Sequence, residues 1–188
     1  MVNYDVMVRT QSTPNPNAIK FVVNCAIKAE GKATFENSEQ AKALRLAEDL
    51  FAISGVEQLH MFENVVTVTH KDNIAKDDLV ESVISVLKSR LPVHDPHFVL
   101  EGEKQKKKIK ENLSPEIQAI EEILDRTIRP GLQADGGDIE VVDYKDNLVT
   151  VRYEGACGSC PSAMYGTLDA IYSILRAEFN PELDITIA

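Results

Sequence analysis

Two cysteines separated by two small residues, Cys157-Gly158-Ser159-Cys160, are the part of this 188-residue chain best suited to chemistry. A Cys-x-x-Cys pair can grip a zinc ion, ligate an iron-sulfur cluster or work as a redox dithiol. All three uses need thiolates, and the flanking sequence favours them. Pro161 is tolerated at a helix start, where the first donors have no intrahelical partner. Met164, Leu168, Ile171, Leu175 and Phe179 then recur at about helical spacing. Cys160 is therefore expected at or just before a helix N-terminus, whose partial positive charge lowers a thiol's pKa. Gly155 and Gly158 leave room for the backbone to wrap a bulky sulfur-bound group and aim N–H donors at its sulfurs.

Ligand counting shows that one chain is not enough. A tetrahedral zinc site takes four nitrogen or sulfur ligands, and a 4Fe-4S cluster takes four thiolates. The third cysteine, Cys25, belongs to the first half of the chain, and no histidine follows His97. Two copies related by a two-fold axis, each giving Cys157 and Cys160, reach four ligands. Such a site comes apart when the subunits separate, which suits a carrier. A thiol-disulfide oxidoreductase, with Cys157 attacking and Cys160 resolving, is the alternative; the chain has no tryptophan and the motif follows a hairpin rather than a βαβ unit, both of which disfavour it. A zinc ion clamped between two chains is a third reading.

The elements around the pair follow from periodicity. Ser114-Pro115-Glu116 is a helix start, and the stripe Ile117, Ile120, Ile123, Leu124 and Ile128 runs to Pro130. Paired glycines in Ala134-Asp135-Gly136-Gly137-Asp138 permit a sharp reversal into a strand with Ile139, Val141 and Asp143 on one face. Lys145-Asp146-Asn147 turns the chain, Leu148 to Tyr153 return, and Leu183 to Ile187 alternate like an edge strand. Asp135 and Asp138 are expected to serve the turn and caps rather than act as an acid/base pair.

In the first half, Phe21, Val23, Cys25 and Ile27 alternate as one face of a strand over residues 20 to 27. A helix is expected from Ser38 to Ile53, a pair of strands at 57 to 62 and 64 to 70, and a second helix from Ile74 to Leu91 stopped by Pro92. Thr13-Pro14-Asn15-Pro16-Asn17 excludes a helix and reads as a surface loop. His94 and His97 lack a third ligand nearby and are expected in an ordinary loop. Residues 101 to 112, with five lysines and three glutamates, cannot cover a core face and read as a charged linker. The chain is thus expected to be α+β, with domains at 1–100 and 113–188, the second in the order α-β-β-α-β.

Charge and composition exclude other classes. The net charge is -10, with -3 on residues 1 to 100 and -9 on residues 113 to 188. That disfavours nucleic acid, which requires clustered positive charge. No apolar run approaches the roughly 20 residues that span a bilayer. The start, MVNYDVMVRT, has neither a secretory h-region nor transit-peptide character, so a soluble, cytoplasmic protein is expected. Three cysteines make no disulfide framework.

The residues also carry a resemblance. Ile128-Arg129-Pro130, Leu132-Gln133-Ala134-Asp135-Gly136-Gly137-Asp138-Ile139, Gly155-Ala156-Cys157, Cys160-Pro161-Ser162 and Thr167-Leu168 resemble the NifU-like C-terminal domain of the Nfu iron-sulfur carriers. Thr13-Pro14-Asn15-Pro16-Asn17-Ala18-Ile19-Lys20-Phe21-Val22 resembles their N-terminal domain, as do Gly55-Val56 and Val66-Thr67-Val68-Thr69. The resemblance implies a non-enzymatic scaffold that holds a 4Fe-4S cluster between two subunits through Cys157 and Cys160. It also implies a homodimer when the cluster is bound, and transfer of the cluster to apo-proteins. The family commonly has Ser-Gly between these cysteines; this chain has Gly158-Ser159.

Overall fold

The computed structural model describes residues 5–100, 114–158 and 161–188, with the side chains of the last stretch described from 166 onward. The chain divides into two compact units, Met1–Leu100 and Glu101–Ala188. The expected linker at 101–112 lies outside the described residues. The fold is α+β in both units.

The first unit is built on strands β1 (Val8–Ser12), β2 (Ala18–Val23), β3 (Lys28–Phe35), β4 (Val56–Glu63) and β5 (Val65–His70), joined in one antiparallel sheet of order β1-β2-β5-β4-β3. Helices α1 (Ser38–Ala41), α2 (Arg45–Phe51) and α3 (Lys76–Arg90) complete it. Alternation supplies the core: Phe21 and Val23, Val66 and Val68, and Leu59 and Met61 are buried together with Leu46 and Leu50 of α2 and Leu79, Val83 and Leu87 of α3. Fully burying such a side chain contributes about 1.5–3 kcal/mol.

Three expectations need correction here. The strand of residues 20 to 27 ends at Val23, so Cys25 lies half-buried in the connection to β3, while Ile27 is fully buried. The single helix of residues 38 to 53 is two, because Leu44 is extended (φ -140°, ψ 118°). Strands β1 and β3 escaped the sequence reading, since β1 is mostly exposed and β3 is interrupted by a register shift and Gly31 at φ +69°. The Thr13–Asn17 loop is a built turn: Thr13 Oγ1 donates to the Asn15 carbonyl at 2.9 Å, and Asn15 is buried.

The second unit contains α4 (Pro115–Thr127), α5 (Arg129–Ala134), β6 (Gly137–Lys145), β7 (Leu148–Gly155), α6 (Pro161–Glu178) and β8 (Asp184–Ile187). Ser114 caps α4, its Oγ accepting from Ile117 N at 3.3 Å. Pro130 does not stop a helix but sits in the first turn of α5, so the unit has one more helix than expected. β6 and β7 form an antiparallel hairpin whose turn residues Asp146 and Asn147 both have positive φ (51° and 63°), matching the right-handed twist of the flanking strands. A register shift between Val141 and Asp143 leaves Asp143 exposed and turns Tyr144 toward the core, correcting the expectation that Asp143 shares a face with Ile139. β8 is an edge strand as expected and runs parallel to β7, with α6 as the crossover that parallel neighbours require. The core joins Ile120 and Leu124 of α4 to Ile139, Val149, Val151, Ile171 and Leu175.

Candidate metal centre

The Cys-x-x-Cys segment is the connection from β7 to α6. Its geometry starts at the glycines on either side of the hairpin's open end, where Gly137 of β6 pairs with Gly155 of β7. Gly136 and Gly155 both adopt left-handed backbone, at φ +82° and +64°. They reverse the chain there, and Ala156 N donates to the Gly136 carbonyl at 3.2 Å. Gly158 N then donates to the Gly155 carbonyl at 3.1 Å, closing a tight turn around Ala156 and Cys157. Gly158 is packed so closely that a β-carbon on it would lie 2.9 Å from the Tyr153 carbonyl oxygen.

Cys157 is only 5% exposed and belongs to the core of the second unit. Cys160 lies outside the described residues; the helix that follows it begins at Pro161. Tyr153, four residues before Cys157, is buried, and its phenol is pushed up to about 12, first by burial and second by the charge of the Cys157 thiol. The donor chemistry at Cys157 fits a soft metal or an iron-sulfur cluster, since a thiolate is the ligand both use.

The other sequence candidates belong to the first unit or serve structure. Cys25 is in the first unit. Asp135 is exposed and ends α5, whereas Asp138 is 2% exposed and ion-paired with Arg129, so the two carboxylates do not converge. That corrects the turn-and-cap role expected of Asp138. His94 Nε2 bonds the Ile27 carbonyl at 2.7 Å, and its ring packs edge-on against Phe98. Among the described residues no group of three or more His, Cys, Asp or Glu side chains is arranged to hold a metal ion.

What sequence reasoning missed is the support around β6. Arg129 Nη2 donates to Glu121 Oε2 at 2.6 Å and to the Ile139 carbonyl at 2.9 Å, and its Nη1 pairs with Asp125. Glu121 Oε1 in turn accepts from Val141 N at 3.1 Å, tying α4 and α5 to the strand that carries Gly137. Burial alone would lower the Arg129 pKa, but the hydrogen bonds and charges of Glu121 and Asp138 outweigh it and hold that pKa above its ordinary value. The signal for this network was an arginine at the end of an otherwise apolar helical stripe.

Comparison with known proteins agrees with the two-part division. The family described as "NifU-like domain" matches residues 120–186, and the one described as "Scaffold protein Nfu/NifU N terminal" matches residues 8–93. NifU-like protein 5, mitochondrial, of Arabidopsis thaliana is 34% identical over 90% of this chain and 63% of its own length. The chain thus spans less than two thirds of that relative. The human protein named NFU1 iron-sulfur cluster scaffold homolog, mitochondrial, is 29% identical over 95% of this chain and 70% of its own. A solution structure of a NifU-like protein from Saccharomyces cerevisiae overlaps 49% of this chain and 84% of its own, at 21% identity and a TM-score of 0.44. The expected cytoplasmic location is contradicted by the plant and human relatives, both named as mitochondrial. No described helix is long and apolar enough to cross a membrane. With both halves matched in order, the chain belongs to the Nfu-type family of NifU-like proteins.

Proposed function

We propose that this chain is an iron-sulfur cluster scaffold and carrier rather than an enzyme. Its cargo is a 4Fe-4S cluster held between two copies, each supplying Cys157 and Cys160. The observation that carries this reading is that the Cys-x-x-Cys pair falls within the matched NifU-like domain, in the connection from β7 to α6. A carrier in which each chain supplies half of the thiolates can release its cargo by exchange. At each iron a client thiolate forms a new Fe–S bond as the bond to Cys157 or Cys160 breaks. The client thiol gives up a proton and the released cysteine takes one, so no electrons move and no oxidant is needed. The apo iron-sulfur proteins that accept the cluster are the partners.

The antiparallel hairpin before Cys157 and the burial of its thiol give the oxidoreductase alternative less support, since an attacking cysteine sits in a partly exposed, electropositive setting. Anaerobic reconstitution with iron and sulfide tests the proposal. The expected product is a brown dimer with about four iron and four sulfide per two chains. A colourless monomer, or a zinc-bound dimer free of sulfide after anaerobic purification, refutes it.

A further inference from the structure

The adjacent glycines at the start of β6 do different jobs. Gly136, at φ +82°, provides a backbone conformation that side chains disfavour. Gly137 shows no positive φ and pairs in register with Gly155, so its missing side chain provides space instead. A β-carbon built on Gly137 would lie 2.5 Å from Cys157 Sγ, 2.9 Å from Cys157 Cβ and 2.8 Å from the Glu154 carbonyl oxygen. The nearest of these neighbours is the thiol itself. Cys157 is 5% exposed, so its sulfur rests against the Gly137 backbone and away from water.

A thiolate that binds a cluster shared with a second chain must reach the surface. The buried seat and the ligating position are therefore two places for one sulfur. Gly155, at φ +64°, stands two residues before Cys157, where a backbone rotation would turn the thiol outward. We infer that Gly137 is a positioning residue for Cys157: it leaves open the seat in which the thiol is withdrawn from solvent, and from which the sulfur turns out to bind iron.

This inference rests on the reading of Cys157 as a ligand. Its test contains no iron or sulfide, so its failure is distinct from a failed reconstitution. In the reduced full chain, the iodoacetamide reaction of Cys157 is followed by mass mapping, with fragment ions separating it from Cys160. In the wild type Cys157 should react at least about tenfold more slowly than in the same chain unfolded in guanidinium, and Gly137→Ala should raise its native rate by about tenfold. Equal rates in folded and unfolded wild type, or a native rate that Gly137→Ala leaves unchanged, overturn the inference.

A double variant separates the thiol from the backbone neighbour. The drop in urea midpoint caused by Gly137→Ala should be at least halved in a Cys157→Ala background. If Gly137→Ala alone does not fold, recovery of the far-ultraviolet circular dichroism in the double variant supports the thiol seat. An undiminished penalty, or no recovery, overturns it, because the space at Gly137 would then serve the Glu154 carbonyl oxygen and the Cys157 β-carbon, which alanine keeps, rather than the sulfur.

Discussion

Asp138 Oδ1 accepts a hydrogen bond from Arg129 Nε at 3.0 Å, and the carboxylate making that bond is 2% exposed. The pair joins the first turn of α5 to the start of β6. The same oxygen also accepts from Ile139 N at 2.6 Å, and Gln133 Nε2 approaches Asp138 Oδ2 at 3.4 Å. Gly137, the neighbour of Asp138, is thereby held against the backbone from which the cysteine loop departs. A buried ion pair of this kind is expensive to break, because the partner that remains has already lost its water.

Asp138→Ala is expected to cost about 3 kcal/mol, at the low end for breaking a buried pair, because Arg129 keeps Glu121 and Asp125. Urea unfolding of the variant reads this as a lower midpoint at unchanged slope. A loss under about 1 kcal/mol would show that the pair contributes no more than an exposed one.

Tyr153 should ionise well above the ordinary tyrosine range while the protein stays folded, with its phenol held at about 12. The folded state binds this proton more tightly than the unfolded chain, whose tyrosines titrate near about 10. The resulting stabilisation is complete below pH 10 and declines as pH rises through about 12. The difference in phenolate absorbance between wild type and Tyr153→Phe isolates this titration. Cys157→Ser should lower the Tyr153 value only part of the way, because burial is the larger cause and the cysteine charge the smaller. A full return to the ordinary value would reverse that order.

Cys157→Ser and Cys160→Ser are each expected to abolish stable cluster binding while leaving the far-ultraviolet circular dichroism intact. Cys25→Ser should reconstitute like the wild type, since Cys25 lies in the other unit, in the connection after β2. Iron and sulfide analysis of the three purified variants checks this. Loss of the cluster from Cys25→Ser would overturn the count of two ligands per chain.

The hairpin of the second unit was legible because period-two alternation and the Lys145-Asp146-Asn147 turn both report local geometry, and α3 was legible from its apolar spacing. The break at Leu44 and the extra helix α5 were not, since both are decided by how short helical segments pack rather than by the stripe of apolar residues they share. The spacing of Cys157 and Cys160, with the strand before them and the helix after, was a property of the chain alone. What only the tertiary structure decided is the surroundings of the first thiol. Its 5% exposure, its contact with Gly137 and the buried pairing of Asp138 with Arg129 join residues from separate elements. Periodicity tells which side of an element faces inward, but the partner met there depends on how the elements come together.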